Sequence, residues 1–343
     1  MKPVTDTTKT GIALPAGFAL ISEDPEVGPA VSESLEQIEE LLRESVASTD
    51  PFADRTARHL VEAGGKRIRP LLAVLASHLG DPSRREVVTA AVVVELTHLA
   101  TLYHDDVMDS APLRRGAPTA HELWGNSVAI LTGDLIFARA SRLVSGLGGE
   151  ALAVQADTFE RLCLGQLHET QGPAEGENPR EHYLSVLRDK TGSLVAAAGH
   201  FGAMLSGAPR EYVETMVAYG EKVGVAFQLA DDVIDVTGAK EKAGKRPGTD
   251  LREGVPTLPV LLLREKQDES SRRLLELIDG DLSSDEALAE AVSALAAHPV
   301  AEESWAIARQ WAEDAIATLE PLPDGTVKEA LRSFALAVVD REV

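Results

Sequence analysis

Two short acidic runs of one pattern, Asp105-Asp106-Val107-Met108-Asp109 and Asp231-Asp232-Val233-Ile234-Asp235, are the residues of this chain best suited to chemistry. Each closes a strongly apolar stretch that reads as helix, where the first and last aspartates lie at i and i+4 and share a face. Carboxylates brought that close raise one another's pKa unless a cation sits among them. All-oxygen ligands without His or Cys suit Mg2+, which takes few carboxylates and completes its shell with water and substrate phosphate. Two such clusters facing each other would hold a diphosphate. A solvated helix end accounts for one acidic run in an acidic protein. It does not account for two set in near-continuous apolar sequence, such as Ala91-Val92-Val93-Val94 and Val223-Gly224-Val225-Ala226-Phe227, where unpaired charge is costly to bury.

A polyanionic ligand would require the protein's overall sign to be reversed locally, because the formal net charge is −22. That charge excludes nucleic acid as a partner, since phosphate backbones are bound by lysine and arginine surfaces. Cations do gather in two places. Gly64-Gly65-Lys66-Arg67-Ile68-Arg69-Pro70 sets three in four residues beside flexible glycines, and Arg114-Arg115 follows the first acidic run by one short turn. Such clusters present side chains and backbone N–H groups to phosphate oxygens, although Arg67 by itself reads as a surface residue. His98 lies seven residues before Asp105, about two helical turns, on one stripe with Glu95 and Leu102. Gln228 lies three before Asp231, on the same face one turn deeper. Lys190 interrupts a long apolar helix just before Thr191-Gly192.

The elements that must position these groups are helices. Ala and Leu are plentiful, aromatics make up 4%, and no run alternates strictly enough to demand a strand. Residues 1–30 read as a poorly ordered tail, and 31–343 as a single large all-α domain, since no linker-like segment divides it. Periodicity places helices from about 31 and over 52–63, 69–80, 84–109, 118–146, 149–171, 179–207, 209–237, 256–267, 270–279, 284–297, 299–319 and 325–340. The stretch 237–256, rich in Gly and Lys, follows the second acidic run as a lid would. Cys163 is alone, which fits a reducing, cytoplasmic compartment. No apolar run reads as long enough to cross a bilayer.

Together these motifs resemble the trans-isoprenyl diphosphate synthases, or polyprenyl synthetases, and most of all the bacterial long-chain enzymes that make quinone side chains. The likeness runs from about Gly64 to Pro259 and includes Gly133-Asp134, Lys190-Thr191-Gly192, Phe227-Gln228-Leu229-Ala230 and Gly248-Thr249-Asp250-Leu251. It implies a helical bundle around a deep central cavity, a homodimer, and a reaction of isopentenyl diphosphate with an allylic diphosphate such as farnesyl diphosphate. Asp105, Asp109 and Asp231 match Mg2+ ligands, with Asp106, Asp232 and Asp235 in close support and three ions per site. Arg114, Lys190 and Lys245 match cationic contacts of the allylic diphosphate. Lys66, Arg69, His98 and Arg115 match contacts of isopentenyl diphosphate, and Thr191 and Gln228 match polar groups beside the reacting carbons. One departure is Val255 in Gly254-Val255-Pro256-Thr257-Leu258-Pro259, where the family often has lysine; Arg252 or Lys245 would have to replace its contact.

The chemistry implied is ionisation of the allylic carbon–oxygen bond, attack on the cation by the isopentenyl double bond, and loss of a proton to the released diphosphate. Water must be kept out, and release of the product would bring the protein into peripheral contact with a membrane. Product length should be set beneath the first acidic run, at Thr97, Ala100 and Thr101. The family's short-chain members carry bulky aromatics four or five residues before that run, so small residues there imply a product of C30 or beyond. A shorter geranylgeranyl product, a class I terpene cyclase and a non-catalytic subunit of a heteromeric synthase are the alternatives. A cyclase would not need the repeated acidic run together with Lys66, Arg69 and Arg115, and non-catalytic subunits tend to lose one run.

Overall fold

Strong helix formers with apolar residues spaced three and four apart carry nearly all of the chain into helix. The computed structural model describes residues 16–237 and 247–340. In chain order the elements are α1 (Ala19–Glu23), α2 (Val27–Val46), α3 (Pro51–Glu62), α4 (Ile68–Ser77), α5 (Arg85–Met108), β1 (Leu113–Arg114), β2 (Ala117–Pro118), α6 (Ala120–Trp124), α7 (Asn126–Val144), α8 (Gly149–Gln171), α9 (Pro179–Leu187), α10 (Ser193–Leu205), α11 (Arg210–Thr237), α12 (Thr249–Glu253), α13 (Leu258–Glu265), α14 (Glu269–Ile278), α15 (Asp285–Ala297), α16 (Pro299–Thr318) and α17 (Thr326–Val339). The expected all-α class is what the structure shows.

The described residues group into two compact units. The first draws on Met1–Glu160, Leu194–Gly220 and Leu319–Leu331, and the second on Arg161–Ser193, Glu221–Thr318 and Arg332–Val343.

In the first unit α5 is the core. Every residue from Ala90 to Thr97 is buried, with Leu99, Ala100, Tyr103 and Asp106 beyond, and a helix buried on all sides must be enclosed by others. α7, α4 and α2 pack around it. By length and composition α5 could cross a membrane, contrary to the sequence reading, but 67% of its apolar window is buried inside the structure, as befits a core helix. Polar ties fix it in register: the Tyr103 hydroxyl donates to the Thr56 carbonyl at 2.6 Å, and Gln155 donates to Thr97 Oγ1 at 2.7 Å. In the second unit α13 packs on α9, α14 and α16, and α15 packs on α14 and α16.

Four differences from the sequence reading have local causes. Residues 16–30 carry helix because Phe18 and Ile21 are fully buried, so helical structure begins before the position assigned to the end of the tail. The helix expected over 118–146 breaks at Gly125, whose φ of 84° no continuous helix accommodates. The one expected over 179–207 passes through a π turn at Arg188–Gly192. A two-residue antiparallel ribbon, Leu113 opposite Pro118 and Arg114 opposite Ala117, follows α5.

Close helix approach depends on Gly202, where an added Cβ would lie 2.0 Å from the Ala73 carbonyl oxygen and 2.9 Å from the Ala76 Cβ. Neither is a flexible chain end. Gly202→Ala is expected to cost about 1–3 kcal/mol by overpacking, read as a lowered urea midpoint at unchanged m-value; an unchanged midpoint would show that α4 and α10 can separate freely.

Candidate functional site

The first acidic run occupies the last turn of α5, with Asp109 at its C-cap. The helix's unsatisfied carbonyls already make this end negative, so three carboxylates here oppose the dipole. Asp106 is fully buried; its Oδ1 accepts from Arg114 Nε at 2.7 Å, and its Oδ2 has no hydrogen-bond partner. Asp105 is partly buried and Asp109 exposed.

The ribbon after α5 separates the paired arginines. Its turn, Arg115-Gly116, has φ of 54° and 80°, the geometry of a two-residue hairpin that suits the strand twist. Arg114 therefore folds back to Asp106, while Arg115 reaches across and donates from Nη1 to the Leu60 carbonyl at 3.0 Å. It lies over Gly65, where a Cβ would sit 2.9 Å from the Arg115 Cζ. Only glycine admits that approach at Gly65, whose φ is 151°.

His98 stands among these cations. Burial first, then the charges of Arg69, Arg115, Arg114 and Arg67, hold its imidazole well below the usual histidine range. It is neutral near pH 7 and offers one N–H. Burial, with Arg115 nearby, also lowers Arg69, whose Nε has no partner. Lys66 is exposed. Arg69, Arg114 and Arg115 thus gather around His98 in the first unit.

Arg67 departs from the surface role expected of it. Its side chain is 5% exposed and is clamped by Glu39 at 2.5 Å and Glu95 at 2.8 Å. Sequence reading missed Glu39 altogether, and it placed Glu95 on the His98 stripe without a role.

In the second unit Asp231, Asp232 and Asp235 lie in the last two turns of α11. Asp232 accepts from the Tyr183 hydroxyl at 2.5 Å on Oδ2 and from Gln228 Nε2 at 2.8 Å on Oδ1. Burial, then Asp250 and Asp231, push its carboxyl up to about 7 against those two hydrogen bonds. Gln228 thus engages Asp232 at i+4, and Thr191 Oγ1 donates to its Oε1 at 3.4 Å. Asp235 accepts from the Asp250 backbone N–H at 3.2 Å. Lys190 sits on the π turn, 28% exposed and paired with Glu169 at 2.5 Å. Arg161 holds that turn through Asp189 at 2.7 Å and braces Glu221 at 2.5 Å. Tyr183 and Arg161 carried no sequence signal.

Thr97 is 0% and Ala100 1% exposed, and the Ala100 carbonyl lies 3.1 Å from where a Gly133 Cβ would be. Thr101 is partly exposed. Arg252 is paired with Asp285 at 2.7 Å, and Val255 is 38% exposed. Lys245 lies outside the described residues. Of the stretch read as a lid, 249–253 form α12.

The donor set fits a hard divalent cation. Among the described residues no three acidic, His or Cys side chains converge as a ready-made cage, and Mg2+ does not require one, since it binds through one or two carboxylates plus substrate phosphates. The unpartnered Asp106 Oδ2 and the crowding of Asp231, Asp232 and Asp250 are the marks of acids gathered for a cation.

The polyprenyl synthetase family model matches residues 50–295. A nonaprenyl diphosphate synthase of Mycobacterium tuberculosis is 44% identical over 91% of this chain and 93% of its own length. Component 2 of a heptaprenyl diphosphate synthase from Geobacillus stearothermophilus is 36% identical over 91% and 97%. A geranylgeranyl pyrophosphate synthase from Corynebacterium glutamicum, solved with calcium and isoprenyl diphosphate, superposes at TM-score 0.83 with 43% identity, over 93% of this chain and 98% of that one. The chain belongs to the polyprenyl synthetase family, and its activity is prenyl transfer.

Tyr183→Phe would leave a buried Asp232 oxygen without its donor, at an expected cost of about 1–3 kcal/mol. Urea denaturation without metal checks this, and an unchanged midpoint would show that water replaces the hydroxyl.

Proposed function

We propose that the protein adds isopentenyl diphosphate units head to tail to an allylic diphosphate such as farnesyl diphosphate, giving a medium- or long-chain all-trans polyprenyl diphosphate for a quinone side chain. The observation that carries the reading is the pair of carboxylate clusters at the carbonyl ends of α5 and α11, with a cluster of arginines beside the first. Asp105, Asp106, Asp109, Asp231 and Asp235 are the proposed holders of Mg2+, and Asp232 supports them through Tyr183 and Gln228. When bound, Mg2+ supplies charge neutralisation for the departing diphosphate.

The chain's own groups do the rest. Lys66, Arg69, Arg115 and the N–H of neutral His98 hold isopentenyl diphosphate, so its double bond is presented at short range and the reaction becomes effectively unimolecular. Arg114, Lys190 and Lys245 are, by the family resemblance, the proposed cationic contacts of the allylic diphosphate, whose growing negative charge they would stabilise. Thr191 and Gln228 supply polar atoms near the reacting carbons. The released diphosphate takes the proton, and no side-chain base is assigned. The central cavity of the family would house the growing chain, with Thr101 near its start.

A cytoplasmic homodimer completes the proposal. Leu123, Ile130 and Leu131 are 47%, 42% and 66% exposed on α6 and α7, an apolar face that a second copy would cover. Leu131→Asp is expected to convert dimer to monomer by light scattering; a wild-type monomer would refute the dimer.

Incubating the purified chain alone with Mg2+, farnesyl diphosphate and labelled isopentenyl diphosphate should yield elongated prenyl diphosphates, and EDTA should abolish them. A cyclised hydrocarbon, or no product, would contradict the reading. Asp105→Ala and Asp231→Ala should each lower kcat by about 10²-fold or more, the scale of losing one preorganised electrostatic contact. Thr101→Phe should shorten the product by chromatography, and an unchanged length would remove Thr101 from the wall.

A further inference from the structure

We infer that Glu39, Arg67 and Glu95 form a positioning device for the isopentenyl diphosphate side of the site, setting Lys66 and Arg69 without touching substrate themselves. The inference rests on the reading of Lys66 and Arg69 as substrate contacts.

Arg67 stands between those two residues yet is turned inward. Its guanidinium engages Glu39 of α2 at 2.5 Å, Glu95 of α5 at 2.8 Å, the Val61 carbonyl at 3.3 Å and the Gly64 carbonyl at 3.4 Å. One side chain thus joins three helices and closes the loop 61–67 onto the start of α4. Its backbone is left-handed, with φ 49° and ψ 34°, as the residue before the first turn of α4, and no side chain caps that helix. L residues avoid that conformation because Cβ crowds the following carbonyl. A non-glycine residue keeps it only when its surroundings over-determine it, and four contacts on one guanidinium do so.

Stability alone does not explain the arrangement. A buried ion pair often gains little over well-packed apolar side chains, because the desolvation cost offsets the attraction, so its retention is better sought in what it specifies. Here it specifies a sharp turn. With Arg67 pinned inward, Lys66 is left exposed on one side, and Arg69 lies among the cations around His98 with its Nε unpartnered. Glu95 has a second reach: it is three residues before His98 on α5, and its charge opposes the crowding of Arg69 and Arg115. Removing the device would let the turn relax and the two substrate-facing cations drift apart, while the acidic clusters stay in place.

The test uses the full-length enzyme with separate Michaelis constants for the two substrates. Four forms are compared with wild type: Glu39→Ala, at the partly exposed end of the device; the combined Glu39→Leu/Arg67→Met/Glu95→Leu; Lys66→Ala; and Glu39→Asp. The first two are expected to raise KM for isopentenyl diphosphate about tenfold while KM for the allylic diphosphate stays within about twofold. Restoring the carboxylate as Glu39→Asp should recover part of the loss. A folded, active Glu39→Ala enzyme with unchanged KM for isopentenyl diphosphate, or with both constants rising together, overturns the inference. If the combined variant does not fold, Glu39→Ala decides. Lys66→Ala with unaltered KM for isopentenyl diphosphate would instead refute the substrate-contact reading on which the inference rests.

Discussion

Carboxylates stand where two long helices already expose the negative ends of their backbone dipoles, and that conflict governs the rest of the structure. Acids are favoured at helix N-termini and disfavoured at C-termini, yet α5 ends in Asp105, Asp106 and Asp109, and α11 ends around Asp231, Asp232 and Asp235. Burial sharpens the conflict at Asp106 and Asp232. Helices can carry such ends because their stability is drawn from elsewhere: α5 is enclosed along nearly its whole length, and the cohesion of that core outweighs an unfavourable last turn. A divalent cation with substrate diphosphate would relieve the repulsion, which links the fold's least comfortable feature to its activity.

The opposite charge is arranged with equal economy. An acidic protein cannot rely on its general field to draw in a diphosphate, so cations are concentrated by local geometry. The hairpin turn at Arg115-Gly116 sends adjacent arginines to different tasks, and Gly65 clears the space for one of them. Burial, reinforced by the guanidiniums around it, keeps His98 neutral, so it offers a hydrogen bond without adding charge. Glu39 and Glu95 take up Arg67, so the loop's middle cation organises the turn.

How much of this was legible in the sequence follows from the range of the interactions. The helical class, the span of α5 and the pairing of acidic runs were readable because they depend on spacing of three and four within one segment. The same local logic failed where distant residues intervene. Nothing near Arg67 announces Glu39, so an arginine amid flexible glycines read as solvent-exposed. Helical spacing set Gln228 on the Asp231 face; it did not show the amide's bond to Asp232, whose other oxygen is taken by Tyr183 from α9. Ala100 and Thr97 looked like an open wall because small residues suit either a lumen or a tight helix crossing. Both are buried, with the Ala100 carbonyl close to Gly133 and Thr97 tied to Gln155. The break at Gly125 and the π turn at Arg188–Gly192 are single-turn events inside strong helical periodicity, which averages over them.

The central proposal is that each acidic cluster contributes to Mg2+-dependent binding of diphosphate. Calorimetric titration of the protein with inorganic diphosphate tests it most directly, with and without Mg2+, in the wild type and in variants that neutralise Asp109 or Asp235. The account requires binding that depends on Mg2+ and is weakened by either neutralisation. Diphosphate binding of equal strength in EDTA, or binding indifferent to one of the two clusters, would contradict it.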